Sequence, residues 1–249
     1  MSQFLLVLCG IPSSGKTSLA RAILEQFSSK DCIELVSTDS WRDEQYYSQF
    51  EPEKENEVRR KALKMTQSLL QEGKSVIHDD TNYYASMRHE LYSIAIKTQC
   101  RFGVVYVSTP LKNALDWNAE RGNPVPPEVI TRISQRFDTP GKKYAWDRPV
   151  FSINLAEQSI NDCMSSLTEI IEELNPVSSE VKSQIAKQNE IDMLTRKVVG
   201  KFLKKKPKYQ GHPEVSRIRK DVLREAIRKG MSSNEAEDIL LKRLAGIRN

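Results

Sequence analysis

The chain is predicted to fold as an α/β domain, a parallel sheet flanked by helices, followed by a small all-α C-terminal domain. Three observations carry this reading. Over the first ~155 residues, short apolar runs alternate with amphipathic helical patterns, the order that builds parallel sheets. Between the first run and the first helix lies Gly10-Ile11-Pro12-Ser13-Ser14-Gly15-Lys16-Thr17, which fits G-x-x-x-x-G-K-[ST], a phosphate-cradling loop. Beyond residue 190 only helical periodicity remains, and the charge balance changes sign.

Taken in order, the strand candidates are 4–9, 32–36, 75–78, 102–107 and 150–154. The first is Phe4-Leu5-Leu6-Val7-Leu8-Cys9, apolar throughout, as a strand covered on both faces must be. Thr17–Leu24 reads as the helix after the loop. Val58, Ala62, Met65 and Leu69 step by four, three and four, which predicts a helix over 55–72. Arg88–Thr98 and Leu111–Arg121 read as helices. Another follows Pro126-Pro127, with Val129, Ile130, Ile133 and Phe137 on one face; proline suits a helix start. Ile160–Leu174 closes the α/β part at Asn175-Pro176.

The expected boundaries are a first domain over 1–175, a linker over 176–190 and a helical domain over 191–249. In the last, Ile191, Leu194, Val198 and Phe202 share one helix face, and Val215, Ile218, Val222 and Ala226 another. A third helix carries Ala236, Leu240 and Leu244 inward and opens at Ser232, with Glu235 at capping-box spacing.

Composition narrows the function classes. The 249 residues are 39% apolar and 29% charged, enough for packed cores in a soluble chain. The first apolar run stops after about six residues and no basic stretch precedes it, unlike a secretory signal. Nothing approaches the roughly 20 apolar residues of a membrane span. A cytoplasmic protein without membrane partners is expected. Cys9, Cys32, Cys100 and Cys163 are scattered, which predicts reduced thiols and no zinc site. The net charge of +5 hides an asymmetry. Residues 1–177 carry 20 Lys+Arg against 24 Asp+Glu; residues 178–249 carry 18 against 9. A basic tail on an acidic body predicts a polyanionic partner.

The loop residues each have a physical task. The glycines let the backbone curl so that N–H groups face a phosphate, and the following helix N-terminus adds positive potential. Gly10, Ile11, Pro12, Ser13, Ser14, Gly15, Lys16, Thr17 and Ser18 are therefore candidate ATP-binding residues. Lys16 is placed to reach the β- and γ-phosphates, and the Thr17 hydroxyl to ligate Mg²⁺. Asp79-Asp80 ends the third strand candidate, where a carboxylate near such a loop holds Mg²⁺ directly or through water. Asp39 follows the second strand, with Arg42 three residues on. Asp39 fits two tasks equally: a carboxylate that takes a proton from an acceptor hydroxyl, or a cap within the run Ser37-Thr38-Asp39-Ser40. Arg121 fits a lid cation over a transferring phosphoryl group or a helix C-terminal charge. In the tail, Arg196, Lys197, Lys204 and Lys205 belong to one basic cluster, and Arg217, Arg219, Lys220 and Arg224 to a second. They are candidate RNA-phosphate contacts, with a solvated helix face as the plain alternative.

Two further stretches are more specific than the loop. Asp79-Asp80-Thr81-Asn82-Tyr83-Tyr84-Ala85-Ser86-Met87-Arg88 and Pro140-Gly141-Lys142-Lys143-Tyr144-Ala145-Trp146-Asp147-Arg148-Pro149 resemble the archaeal O-phosphoseryl-tRNA(Sec) kinases, as do Asp192–Lys197 and the basic segment around Arg217–Lys220. The resemblance covers nearly the whole chain. It implies a P-loop kinase domain joined by a linker to a helical tRNA-binding domain. It implies transfer of the ATP γ-phosphate to the serine hydroxyl of seryl-tRNA(Sec), in selenocysteine biosynthesis. By position it puts the catalytic Asp and Arg on Asp39 and Arg42, and the Mg²⁺-associated pair on Asp79 and Asp80. One position departs: where that family resembles Arg-x-x-x-Arg at the lid, this chain has Trp117-Asn118-Ala119-Glu120-Arg121. Trp-Asn-x-x-Arg resembles the sister family of Elongator-associated tRNA-binding ATPases, which act in wobble-uridine modification. The partner implied is a tRNA, with a homodimer left open.

Overall fold

The computed structural model describes residues 3–27, 32–42, 46, 52–176 and 179–247. They form two compact units, Met1–Val177 and Ser178–Asn249. The first contains β1 (Phe4–Cys9), α1 (Lys16–Phe27), β2 (Ile33–Ser37), a 3₁₀ turn (Thr38–Trp41), α2 (Pro52–Gln71), β3 (Ser75–Asp79), α3 (Ala85–Thr98), β4 (Arg101–Val107), α4 (Leu111–Glu120), α5 (Pro127–Gln135), β5 (Phe151–Ile153) and α6 (Ile160–Glu172). The sheet is wholly parallel in the order β2-β3-β1-β4-β5.

β1 runs through the centre, and all six of its residues are buried. Alternation sends its side chains to two layers. Phe4, Leu6 and Leu8 pack with Leu19, Ile23 and Phe27 of α1 and with Leu167 and Ile171 of α6. Leu5 and Val7 pack with Ala62 and Leu70 of α2 and Leu91, Ile94 and Ala95 of α3. The uniform apolarity read from the sequence thus reflects burial on both faces.

Several boundaries differ from the sequence reading. α2 begins at Pro52, three residues early, with proline again in the first turn. α3 begins at Ala85 rather than Arg88. The Ala85 N–H donates to the carboxylate of Asp138 (3.3 Å), a cap supplied by a residue 53 positions away and invisible to local pattern. β5 is only three residues long.

The second unit contains α7 (Ser179–Lys205), α8 (Pro213–Lys229) and α9 (Ser233–Ala245). Val198, Val215, Val222, Leu240 and Leu244 form its centre, closed by Tyr209. The Ser232–Glu235 capping box is present in both directions. The stretch 176–190, expected as a linker, instead holds the first turns of α7; residues 177 and 178 lie outside the described residues. The physical reason is simple: no Gly or Pro stands between Ser179 and Gly200, so a helix once begun has nothing to stop it. Among the described residues, no helix is long and apolar enough to cross a membrane. Cys9, Cys100 and Cys163 are buried free thiols and Cys32 is exposed.

Candidate active site

Parallel register brings the site together. Leu8 and Ser37 both stand opposite Asp79, so the loop after β1, the turn after β2 and the acidic pair at the end of β3 meet at one rim. A cleft of about 610 Å³ opens there, lined among others by Lys16, Thr17, Asp39, Arg42, Asp79 and Arg121. Eleven of the residues singled out from sequence thus line one cavity: Pro12, Ser13, Gly15, Lys16, Thr17 and Ser18 of the loop with Asp39, Arg42, Asp79, Asp80 and Arg121.

The loop is locked from several sides. The Gly10 N–H donates to the Thr81 carbonyl (3.0 Å), and Asn82 Nδ2 donates to the Leu8 carbonyl (2.7 Å). Thr109 Oγ1 donates to the Ser14 carbonyl (2.9 Å). Gly15 sits at φ +95°, a conformation that favours glycine, and an added Cβ would come within 2.5 Å of Leu155 Cδ1, which would have to move. Lys16 is buried, and its Nζ donates to the Ile11 carbonyl at 2.6 Å. Burial pulls its pKa below the ordinary lysine value, opposed by Asp79 and Asp80. Ser14 Oγ is buried in the loop with no hydrogen-bond partner among the described residues, a polar atom that an anion in the loop would satisfy.

Around it the acidic groups divide into two kinds. Asp79 Oδ2 accepts from Thr17 Oγ1 (2.7 Å) and from Ser37 Oγ (3.2 Å). Burial raises its pKa, against the pull of Lys16 and Thr17. Asp80 Oδ1 accepts from Thr38 Oγ1 (3.0 Å) and the Thr81 N–H (2.8 Å), with Arg42 Nη2 at 3.7 Å. Burial would raise Asp80 as well, but Arg42, His78 and these hydrogen bonds prevail and hold it below the ordinary value. One hydroxyl and two carboxylates are hard oxygen donors of the kind Mg²⁺ takes, and Mg²⁺ needs only one or two carboxylates beside phosphate oxygens. The residues present fit Mg²⁺·ATP.

The geometry removes one of the two tasks weighed for Asp39, the cap. Ser37, not Asp39, occupies the cap position of the 3₁₀ turn, and it makes no side-chain cap bond. Asp39 stands 69% exposed and accepts from Arg42 Nη1 at 2.7 Å. Arg42 is itself 12% exposed. Its Nη2 donates to both oxygens of Glu55 (3.0 and 3.3 Å), and the Tyr46 hydroxyl donates to the same carboxylate. Arg121 ends α4 and turns back onto the loop, where its Nη2 donates to Ser13 Oγ at 2.7 Å and its Nε to the Trp117 carbonyl at 3.2 Å. Asn118, from the same Trp-Asn-x-x-Arg stretch, accepts from Ser13 Oγ (3.1 Å).

Sequence reasoning missed two features. Glu55 and Tyr46 hold Arg42, and no local signal marks them. Arg88 and Asp147 are each 1% exposed and paired at 2.6 Å, joining the two family-like stretches. Arg88 also donates to the carbonyls of Asn82 and Asp138, each at 2.8 Å. Beside them, burial pushes the Cys9 thiol up to about 12.

His78, buried on β3 next to Asp79, meets Thr66 Oγ1 through Nδ1 (2.9 Å). Burial lowers its pKa from 6.5 to about 4; Asp80 opposes this and Arg59 assists. The unfolded chain therefore binds the extra proton first, and stability present above pH 6.5 is lost as pH falls toward 4. The contribution is about 3 kcal/mol at most. Urea midpoints at pH 7 and 4.5 should fall further in the wild type than in His78→Gln; equal falls would remove His78 from the account.

In the second unit the basic residues separate by partner. Arg219 is half-buried, and its Nη1 donates to Asp192 Oδ1 (2.6 Å), tying α8 to α7. Arg196, Arg217 and Arg224 pair with Asp192, Glu214 and Asp221 on their own helices. Lys197, Lys204, Lys205 and Lys220 are exposed and make no ion pair among the described residues.

Known proteins agree with this architecture. The family model described as chromatin associated protein KTI12 matches residues 4–237. The L-seryl-tRNA(Sec) kinase of Methanococcus maripaludis is 35% identical over 216 residues, 80% of each chain. Protein KTI12 of Saccharomyces cerevisiae is 25% identical over 178 residues, 67% of this chain and 56% of that protein. Among solved structures, Chaetomium thermophilum Kti12 in complex with ADP-AlF₃ shares the fold at TM-score 0.54 and 22% identity, over 67% of this chain and 98% of that one. The Mycobacterium tuberculosis APS kinase CysC shares it at TM-score 0.51 and 18% identity, over 69% and 99%. A P-loop kinase fold, the family model over nearly the whole length and a relative 35% identical over four fifths of it lead to one conclusion: the chain belongs to the KTI12 family and is a relative of L-seryl-tRNA(Sec) kinase.

Proposed function

We propose that the protein is a cytoplasmic Mg²⁺·ATP-dependent kinase that phosphorylates the serine hydroxyl of seryl-tRNA(Sec), giving O-phosphoseryl-tRNA(Sec) for selenocysteine biosynthesis. One observation carries the reading: Asp39, exposed at the cleft and fixed by Arg42, lines the same cavity as Lys16 and Thr17. A carboxylate set at this place can orient an acceptor hydroxyl and take its proton, as a kinase requires.

Residues 10–18 cradle the triphosphate. Lys16 leaves the Ile11 carbonyl for the β- and γ-oxygens. Thr17, Asp79 and Asp80 would hold Mg²⁺, which would supply charge neutralisation for the transferring phosphoryl group. The serine oxygen forms its bond to γ-phosphorus as the β–γ bridging bond breaks; ADP carries away that electron pair, and Asp39 takes the serine proton. Arg42 orients Asp39, and Arg121 steadies the transferring group. Residues 1–175 supply the chemistry, and the basic residues of 191–249, Lys197, Lys204, Lys205 and Lys220 foremost, hold the tRNA.

Two observations favour a second reading, a tRNA-stimulated ATPase acting as an accessory factor in wobble-uridine modification. Trp117 stands where a second lid arginine would be expected, and the family model is KTI12. Incubation with γ-³²P-ATP and seryl-tRNA(Sec), seryl-tRNA(Ser) or uncharged tRNA separates the two. The kinase reading expects label on the serine of seryl-tRNA(Sec). Free phosphate alone, stimulated by tRNA, would replace it with the ATPase.

A further inference from the structure

The loop Pro140–Pro149 takes no part in the chemistry above, yet its presentation is costly. Asp147 at its end is buried on Arg88, and its other oxygen accepts from the Gly141 N–H at 2.9 Å. Gly141 sits at φ +76°, with Arg148 Cα and Pro149 Cδ within 3.1 and 3.2 Å of where a Cβ would be. Both ends of the loop are thus pinned to one buried carboxylate. What lies between them is open: Lys142, Lys143, Tyr144 and Ala145 are all exposed, as is Arg148.

The aromatic residues form a ladder. Phe102 of β4 meets Tyr92 of α3 edge-on at 4.9 Å between ring centres. Trp146 stacks on Tyr92 at 5.1 Å and 17°, with His89 against its edge at 5.2 Å. Tyr144 stacks on Trp146 at 5.8 Å and 26°. The ladder therefore runs from the buried side of the sheet outward, and its last ring keeps 46% of its surface in water. Lys143 is taken by Asp138, whereas Lys142 and Arg148, two positions before and four after Tyr144 in the same loop, are exposed and make no ion pair among the described residues. A tyrosine needed only to shield Trp146 would not require a loop pinned at both ends, nor two exposed cations carried on that loop.

The geometry points to a stacking platform for an unpaired nucleotide: Tyr144, backed by Trp146, takes the base, and Lys142 and Arg148 take the adjoining phosphates. An exposed ring gives sequence-tolerant stacking, and flanking cations supply the backbone term. The ligand class is single-stranded RNA. The site belongs to the first unit and is distinct from the basic residues of the second; that the strand is part of a tRNA rests on the proposed function.

Binding of the full chain to a fluorescent unstructured octaribonucleotide, a blunt RNA duplex of equal length and a whole tRNA tests this. Tyr144→Ala should weaken octamer and tRNA binding about 5- to 100-fold and leave the duplex unchanged. Tyr144→Phe should bind like the wild type, and Lys142→Glu should weaken all three. Thermal melting of Tyr144→Ala checks its fold, and basal ATP turnover should not change. Octamer binding by Tyr144→Ala within twofold of wild type would overturn the proposal, and so would equal losses on octamer and duplex. Absence of phosphoserine with Tyr144-dependent octamer binding would sink the kinase reading alone.

Discussion

Lys16→Ala lowers ATP γ-phosphate transfer, or release, by about 10³-fold, an expected loss of about 4 kcal/mol of transition-state stabilisation. The ammonium is the buried cation of the phosphate loop, already 2.6 Å from the Ile11 carbonyl and held at reduced basicity by burial. Negative charge arriving in the loop meets a preorganised donor that has shed its water. The variant's stability should change less than its rate, because removing a desolvated charge offsets the lost attraction between Lys16 and the buried Asp79 and Asp80. Lys16→Arg should not restore the rate. A planar guanidinium cannot replace a compact ammonium at this closed site. Single-turnover assays with γ-³²P-ATP, paired with urea unfolding, separate the two effects. Turnover within threefold of wild type would show that the loop works without its lysine.

Asp147→Ala has the largest expected effect on stability, about 3–5 kcal/mol. It strips the carboxylate from Arg88 while leaving a guanidinium that is 1% exposed. The two carbonyls of Asn82 and Asp138 cannot neutralise its charge. The double variant Arg88→Met with Asp147→Leu should recover much of the loss, since the penalty comes from an unpaired buried charge rather than from the absence of the pair. Urea midpoints of the single and double variants decide it; a single variant no less stable than the double would contradict the argument. Loss of Asp147 also frees the Gly141 N–H, so the loop carrying Tyr144 should become susceptible to proteolysis before the rest of the first unit unfolds.

Much of the architecture was legible because local pattern and global fold agree. β1 reads as apolar at every position because both faces are covered, and the helix faces of the second unit follow their 3.6-residue period into its centre. The Ser232–Glu235 capping box is a short-range interaction and is found where its spacing put it. Boundaries failed where a distant partner intervened. α3 starts early because Asp138 caps Ala85. The expected linker turned helical because nothing in its sequence breaks a helix, although its polar composition has no strong apolar face to announce one.

The site divides along the same line. Sequence by itself determined the phosphate loop, because its backbone conformation depends on glycines at fixed offsets, and it picked out Asp39, Arg42, Asp79, Asp80 and Arg121 as chemically suited groups. It could not choose between tasks for them. Only the tertiary structure released Asp39 from the cap position and set it on Arg42, which Glu55 and Tyr46 hold from the next helix and the turn before it. Only the tertiary structure separated Arg219, consumed by Asp192, from Lys197, Lys204, Lys205 and Lys220, which make no ion pair among the described residues. Arg88 with Asp147 was the least legible of all. An ion pair spanning 59 residues leaves no periodic trace, and its meaning comes from burial, which is a property of the folded chain alone.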